Sequence, residues 1–127
     1  MAEEALLDTS VWIGLFVDDA RIAGLREAQG PRTAVASSIV LAELQSLSAQ
    51  GRVRADAARY VMESARIEPL STEDALEGGR LHGQLRTKGK SKVSMADALM
   101  LAKAHRLGIP FLTLDADLRG ERSVTVL

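Results

Sequence analysis

The sequence has no cysteine among its 127 residues, which excludes a disulfide scaffold and any zinc or iron–sulfur site held by thiolates. Aromatic residues are scarce (one Trp, one Tyr and two Phe), so a platform on which nucleic-acid bases stack is not expected. No apolar run approaches the ~20 residues of a membrane-spanning helix. The 16 basic and 17 acidic residues give a net charge of −1, which does not indicate a protein that coats nucleic acid. Any nucleic-acid chemistry must therefore occur at a local site.

The remaining composition is that of an ordinary globular protein, with 46% hydrophobic and 26% charged residues. This length allows one hydrophobic core, so we expect a single domain over residues 1–127. Residues 1–4 are acidic where a secretory signal peptide would be basic. We therefore expect a cytoplasmic protein.

Short apolar segments alternate with helical ones along the chain. Strands are predicted at residues 5–7, 33–36, 67–70, 110–114 and 123–127, and their interiors are mostly apolar without alternation, as in strands covered on both faces. Helices are predicted at residues 38–47, 54–66, 72–85 and 94–107, with caps at Ser38, at Ser71 or Thr72, and at Ser94. This order indicates an α/β fold with a mostly parallel sheet, whose ligand site lies where the strand order reverses.

Four acidic residues fall at positions that such a fold brings to one edge of the sheet. Asp8 and Asp115 directly follow predicted strands, Asp97 begins a helix that leads into a strand, and Glu43 lies inside an apolar helix. Carboxylates gathered in one pocket repel each other, and a divalent cation removes that cost. With no cysteine and two histidines, an all-oxygen site favours Mg²⁺ or Mn²⁺.

Each of these acids also has a purely structural explanation. Asp8 and Asp115 are typical helix caps, and Asp97 lies three residues after Ser94, the spacing of a capping box. Glu43 fits the partly exposed margin of an apolar stripe. Asp117 follows on the same loop as Asp115 and is expected to be a supporting or capping group.

Four segments, taken in order, resemble the motifs of PIN-domain ribonucleases, particularly toxins of the VapC type from toxin–antitoxin pairs. They are LLDTSVWI at 6–13, SSIVLAEL at 37–44, MADALMLA at 95–102 and LTLDADL at 112–118. The resemblance implies a three-layer α/β/α sandwich with a sheet of about five strands. It implies that Asp8, Glu43, Asp97 and Asp115 bind the metal, with Thr9 and Thr113 as supporting hydroxyls. Leu118 replaces an aromatic residue often found in the family.

The same resemblance implies an activity and partners. The expected reaction is hydrolysis of RNA phosphodiester bonds by an endoribonuclease that uses Mg²⁺ or Mn²⁺ and leaves 5′-phosphate and 3′-hydroxyl ends. The expected partners are a small antitoxin protein and a second copy of the chain in a homodimer.

A basic stretch precedes the helix that carries Asp97. Its Lys and Arg residues are not interrupted by an acid, and Lys88, Lys90 and Lys92 alternate along a loop that contains Gly and Ser. The functional interpretation is a binding site for substrate phosphates, and the structural alternative is a solvated flexible loop.

Two other functions are consistent with a sheet of this kind. A phosphoacceptor signalling domain would need adjacent acids after the first strand and a lysine after a later one, and neither is present. A catalytically silent PIN-like domain that serves as a binding or scaffold module would not need all four acids. Metal-dependent cleavage of RNA would separate these functions from the ribonuclease.

Overall fold

The computed structural model describes residues 3–127 and contains five strands and six helices within them. The strands are β1 (Glu4–Leu7), β2 (Thr33–Ser37), β3 (Arg66–Glu68), β4 (Phe111–Thr113) and β5 (Val124–Val126). The helices are α1 (Thr9–Phe16), α2 (Leu25–Gln29), α3 (Ser38–Ala49), α4 (Ala57–Ser64), α5 (Thr72–Thr87) and α6 (Met95–Leu107). Short 3-10 helices span Ala20–Gly24 and Ala116–Leu118.

The predicted α/β fold is confirmed. The strands form one sheet in the order β3-β2-β1-β4-β5, and every neighbouring pair is parallel. Right-handed crossovers place α1–α4 on one face of this sheet and α5 and α6 on the other. The order also differs from that of phosphoacceptor signalling domains, in which β3 follows β1 directly, so that alternative is wrong.

Strand β1, at the centre of the sheet, is buried on both faces, which explains why polar and apolar residues do not alternate along it. Ala5 and Leu6 are fully buried and Leu7 is 2% exposed, and the same holds for the inner residues of β2 and β4. The edge strands β3 and β5 are partly exposed. Leu118, in place of the family's frequent aromatic residue, is fully buried in the core.

Helix ends follow the predicted caps with two corrections. The cap of α3 is Ser37 and not Ser38, because the Ser37 hydroxyl accepts a 3.1 Å hydrogen bond from the backbone N–H of Ile39. The helix predicted over residues 54–66 begins at Ala57 and ends at Ser64. Arg66 instead begins β3, where its guanidinium pairs with carboxylates of the sheet edge. Among residues 3–127, no helix combines the length and apolarity of a membrane span.

Candidate active site

The strand order reverses between β1 and β4, and this is the edge that carries the acids. Asp8 directly follows β1, and Asp115 lies two residues beyond β4. The backbone N–H of Asp8 donates a 2.9 Å hydrogen bond to the carbonyl oxygen of Leu112. The sheet thereby brings the two aspartates, distant in sequence, to one edge, where such folds bind ligands.

Asp8 is buried, with 2% of its surface exposed. Its Oδ2 accepts hydrogen bonds from the hydroxyls of Ser10 at 2.7 Å and Thr113 at 2.8 Å. Its Oδ1 is buried without a hydrogen-bond partner among residues 3–127, as is Nε1 of Trp12. A buried carboxylate oxygen without a partner costs free energy. A metal ion would supply the missing partner.

Glu43 is half-buried on α3, near the margin of the apolar stripe. The hydroxyl of Thr9 donates a 2.6 Å hydrogen bond to its Oε1. Since Thr9 is the first residue of α1, this bond ties the two helices together beside Asp8. The hydroxyl of Thr9 thus contacts a candidate metal ligand, and Glu43 lies at the partly exposed margin of its helix.

Asp97 forms the capping box of α6. Its backbone N–H donates to the hydroxyl of Ser94 at 3.1 Å, and its Oδ2 accepts from the backbone N–H of Ser94 at 3.3 Å. The negative charges of Asp115 and Glu43 nevertheless act on this same carboxylate. Asp97 therefore caps α6 and also lies close enough to Asp115 and Glu43 for their charges to act on it.

Asp115 caps the 3-10 helix that follows it, since its Oδ1 accepts a 2.9 Å hydrogen bond from the backbone N–H of Asp117. The hydroxyl of Thr113 accepts a 3.0 Å hydrogen bond from the N–H of Asp115. Thr113 therefore contacts both Asp8 and Asp115. Asp117 supports Asp115 through its backbone, and its own side chain is exposed.

Burial and neighbouring negative charges raise the pKa of Asp8 and of Asp97. Burial, and next the negative charge of Asp97, raises the pKa of Asp8 to about 6, and Glu43 adds a smaller effect. Burial also raises the pKa of Asp97, with further contributions from Asp115 and Glu43. A cation placed among these groups would offset both desolvation and mutual repulsion.

The four carboxylates share one hydrogen-bonding pattern. In each, a protein hydroxyl or N–H binds one oxygen, and the other oxygen has no hydrogen bond within the described part of the chain. Among residues 3–127, however, no three acidic or histidine side chains are positioned to hold a metal ion as they stand. The donor set suits Mg²⁺ or Mn²⁺ chemically, because both prefer carboxylate oxygens.

The three lysines of the basic loop lie in different environments. Lys90 pairs with Glu121 at 2.7 Å, so a phosphate at this position would compete with that carboxylate. Lys88 and Lys92 are exposed. Lys92 lines a groove of about 380 Å³ together with Asp117 and Arg119.

Ser10 is a site residue that the sequence did not indicate. Its hydroxyl donates to Asp8 and accepts a 3.0 Å hydrogen bond from the backbone N–H of Leu114, which lies 104 residues away. It therefore fixes the end of β4 against Asp8. Only its place two residues after Asp8 could have drawn attention to it.

Comparisons with known proteins agree with this architecture. No curated protein matches the sequence. A toxin–antitoxin complex from Klebsiella pneumoniae is similar in structure, with 22% identity, a TM-score of 0.76 and 97% of each chain covered. VapC20 from Mycobacterium tuberculosis, a toxin that cleaves the sarcin–ricin loop, has 24% identity and a TM-score of 0.69 over 97% of this chain and 98% of that one.

A VapBC-family toxin–antitoxin structure, VapBC-5 from Mycobacterium tuberculosis, is 26% identical with a TM-score of 0.70, over 98% of this chain and 97% of that one. In sequence, the model of the PIN domain family matches residues 5–120. That match spans β1, the four acids and β4. The chain belongs to the PIN domain family.

Proposed function

We propose that this protein is a metal-dependent endoribonuclease that hydrolyses RNA phosphodiester bonds as the toxin of a type II toxin–antitoxin pair. The observation that carries the proposal is the buried Oδ1 of Asp8, which lacks a partner among residues 3–127 and belongs to a carboxylate on which the charges of Asp97 and Glu43 act. The PIN family match and the structural likeness to VapC-type toxins support the activity.

The four carboxylates are suited to hold the metal. We expect Asp8, Asp97 and Asp115 to bind Mg²⁺ or Mn²⁺ through their oxygens without hydrogen bonds, with Glu43 either joining them or orienting the attacking water. Since no three of these side chains are positioned to hold an ion as they stand, binding includes a rearrangement of side chains. The ion, when bound, polarises the scissile phosphate and stabilises the leaving oxygen.

Hydroxyl groups of the chain orient the carboxylates of Asp8 and Glu43. Thr113 and Ser10 fix Oδ2 of Asp8 and leave Oδ1 available. Thr9 holds Oε1 of Glu43 and leaves Oε2 available to orient a water molecule. Glu43 is half-buried, and its charge acts on Asp8 and Asp97, so we expect its carboxylate to accept a proton from that water.

The structural likeness to toxin–antitoxin complexes also supports an antitoxin partner and a homodimer. Toxin–antitoxin complexes are among the similar structures, and we propose that a small antitoxin protein binds this chain and that two copies form a homodimer. We propose Lys88 and Lys92 as contacts for the RNA backbone, because both are exposed. Lys90 can join them only by leaving Glu121.

The test is cleavage of structured RNA by the purified protein in Mg²⁺, in Mn²⁺ and in EDTA. We expect products with 5′-phosphate and 3′-hydroxyl ends, formed only with metal. Glu43→Gln should lower the rate by at least about a hundredfold, and Glu63→Gln, the same change on the exposed part of α4, should not. Intact RNA under all conditions would instead indicate a catalytically silent PIN-like binding module.

A further inference from the structure

The acid cluster repels the phosphates of an RNA strand, so a ribonuclease of this design needs basic residues beside it. Asp115 lines a groove of about 270 Å³, and Ser10 and Leu114 contribute to the same groove. Arg21 is the one basic residue in the lining of this groove.

The segment that carries Arg21 is fixed against the site by packing. A Cβ atom at Gly14 would lie 2.9 Å from the side chain of Ile22 and 3.1 Å from that of Leu114. These contacts show that Ile22 lies directly on α1, next to the end of β4. The backbone N–H of Asp19 also donates a 3.0 Å hydrogen bond to the carbonyl of Gly14. Arg21 is therefore held near Asp115 and is not on a loose loop.

Three of the five N–H groups of the Arg21 guanidinium bond within the protein. Its Nε and Nη2 donate to the carboxylate of Asp19 at 3.1 and 2.8 Å. Its Nη1 donates at 3.4 Å to the carbonyl of Leu114, the residue before Asp115. The side chain is 56% exposed. One N–H on Nη1 and one on Nη2 are therefore available for a phosphate, while Asp19 orients the guanidinium.

We propose that Arg21 binds a phosphate of the RNA strand next to the bond that is cleaved. This proposal rests on the ribonuclease function proposed above. The groove of Lys92 and Arg119 borders the loop at Asp117, and the groove of Arg21 borders it at Asp115. A strand that crosses the acids therefore meets basic side chains at both ends of this short loop. Arg21 sets how the strand lies in the site.

The test measures RNA binding in a non-cleaving Asp8→Asn background, with a single-stranded RNA that the parent protein cleaves. Arg21→Gln should weaken binding by about tenfold and lower the slope of log Kd against log salt by about 0.7, the value for one phosphate contact on a single strand. Arg26→Gln removes the same charge from an exposed residue of α2 outside this groove. It should leave affinity and slope unchanged.

The outcomes separate the two proposals. If the parent protein cleaves no RNA, the ribonuclease function is wrong. If the parent cleaves and binds RNA while Arg21→Gln keeps the full slope, or Arg26→Gln loses as much, the assignment of Arg21 alone is overturned. Should Arg21→Gln fail to fold, Arg21→Lys replaces it. Lysine keeps the positive charge but cannot make the paired hydrogen bonds of a guanidinium to a phosphate. We therefore expect weaker RNA binding with an unchanged salt slope. Unchanged affinity would contradict the proposal.

Discussion

The hydroxyl of Thr113 donates a 2.8 Å hydrogen bond to Oδ2 of Asp8, and both side chains are buried. The two residues come from neighbouring strands and lie 105 positions apart in sequence. This bond, with that from Ser10, occupies one oxygen of the carboxylate and leaves the other without a partner among residues 3–127. The fold thus orients Asp8 before any ligand binds.

Thr113→Val is expected to lower cleavage by about 10- to 100-fold, the usual effect of removing a residue that orients a metal ligand. Valine has nearly the same shape, so the strand should keep its packing. Thr125→Val makes the same change at an exposed residue of β5 and serves as the control. Equal cleavage by parent and Thr113→Val would show that Asp8 does not depend on this bond.

The structure contains two matched capping boxes, Ser71 with Asp74 on α5 and Ser94 with Asp97 on α6. Ser71→Ala and Ser94→Ala should each lower the free energy of unfolding by about 1 kcal/mol, measured in urea. Only Ser94→Ala should also slow RNA cleavage, because its partner Asp97 lies among the acids. A loss of activity in both variants would mean that stability alone explains the effect.

The raised pKa of Asp8 makes stability depend on pH in the metal-free protein. Folding raises this pKa from 3.8 to about 6, because the site is buried and Asp97 is nearby. The folded state holds the proton more tightly, so stability falls as pH rises between about 4 and 6. Asp8→Asn removes this dependence, and in EDTA it should be more stable than the parent by up to about 3 kcal/mol near neutral pH.

The difference between the two proteins should shrink as pH falls through 4 and vanish about one pH unit below 3.8, where Asp8 is protonated in both the folded and the unfolded parent. Thermal unfolding across this pH range measures it. Asp18→Asn makes the same change at an exposed residue whose φ of 55° asparagine tolerates, and it should follow the parent curve. A parent that gains stability from pH 4 to 6 relative to Asp8→Asn has the opposite linkage and contradicts the assignment.

A buried ion pair away from the acids joins the two helices of the second layer. Lys103 on α6 pairs with Asp74 on α5, both nearly inaccessible to solvent, and Lys103 Nζ also donates to the carbonyl of Pro69 at 2.7 Å. Asp74→Ala removes the nearer carboxylate of the buried ammonium, leaves Glu68 at 3.6 Å, and should cost about 3 kcal/mol of stability. Glu77→Gln breaks an exposed pair with Arg80 and should leave the unfolding midpoint nearly unchanged.

Local patterns predicted the five strands and the edge at which the acids lie, because burial on both faces and helix caps leave clear signals over a few residues. Helix α1 was not predicted, since it is short and its apolar residues follow one another from Val11 without a clear helical periodicity. The contacts that complete the site could not be predicted from local sequence patterns. The pairing of Lys90 with Glu121, and the positions of Ser10 and Arg21 against the end of β4, depend on residues 31 to 104 positions apart.

The central claim is that Asp8, Asp97 and Asp115, with Glu43 beside them, form a binding site for a hard divalent cation. Calorimetric titration of the protein with Mn²⁺ tests it directly, with Asp8→Asn, Glu43→Gln, Asp97→Asn and Asp115→Asn beside the parent and Glu63→Gln as the control. The account predicts saturable binding by the parent and the control, and affinity weakened by about tenfold or more in each of the three aspartate variants. Mn²⁺ binding that is absent from the parent, or unchanged in all four variants, would contradict it.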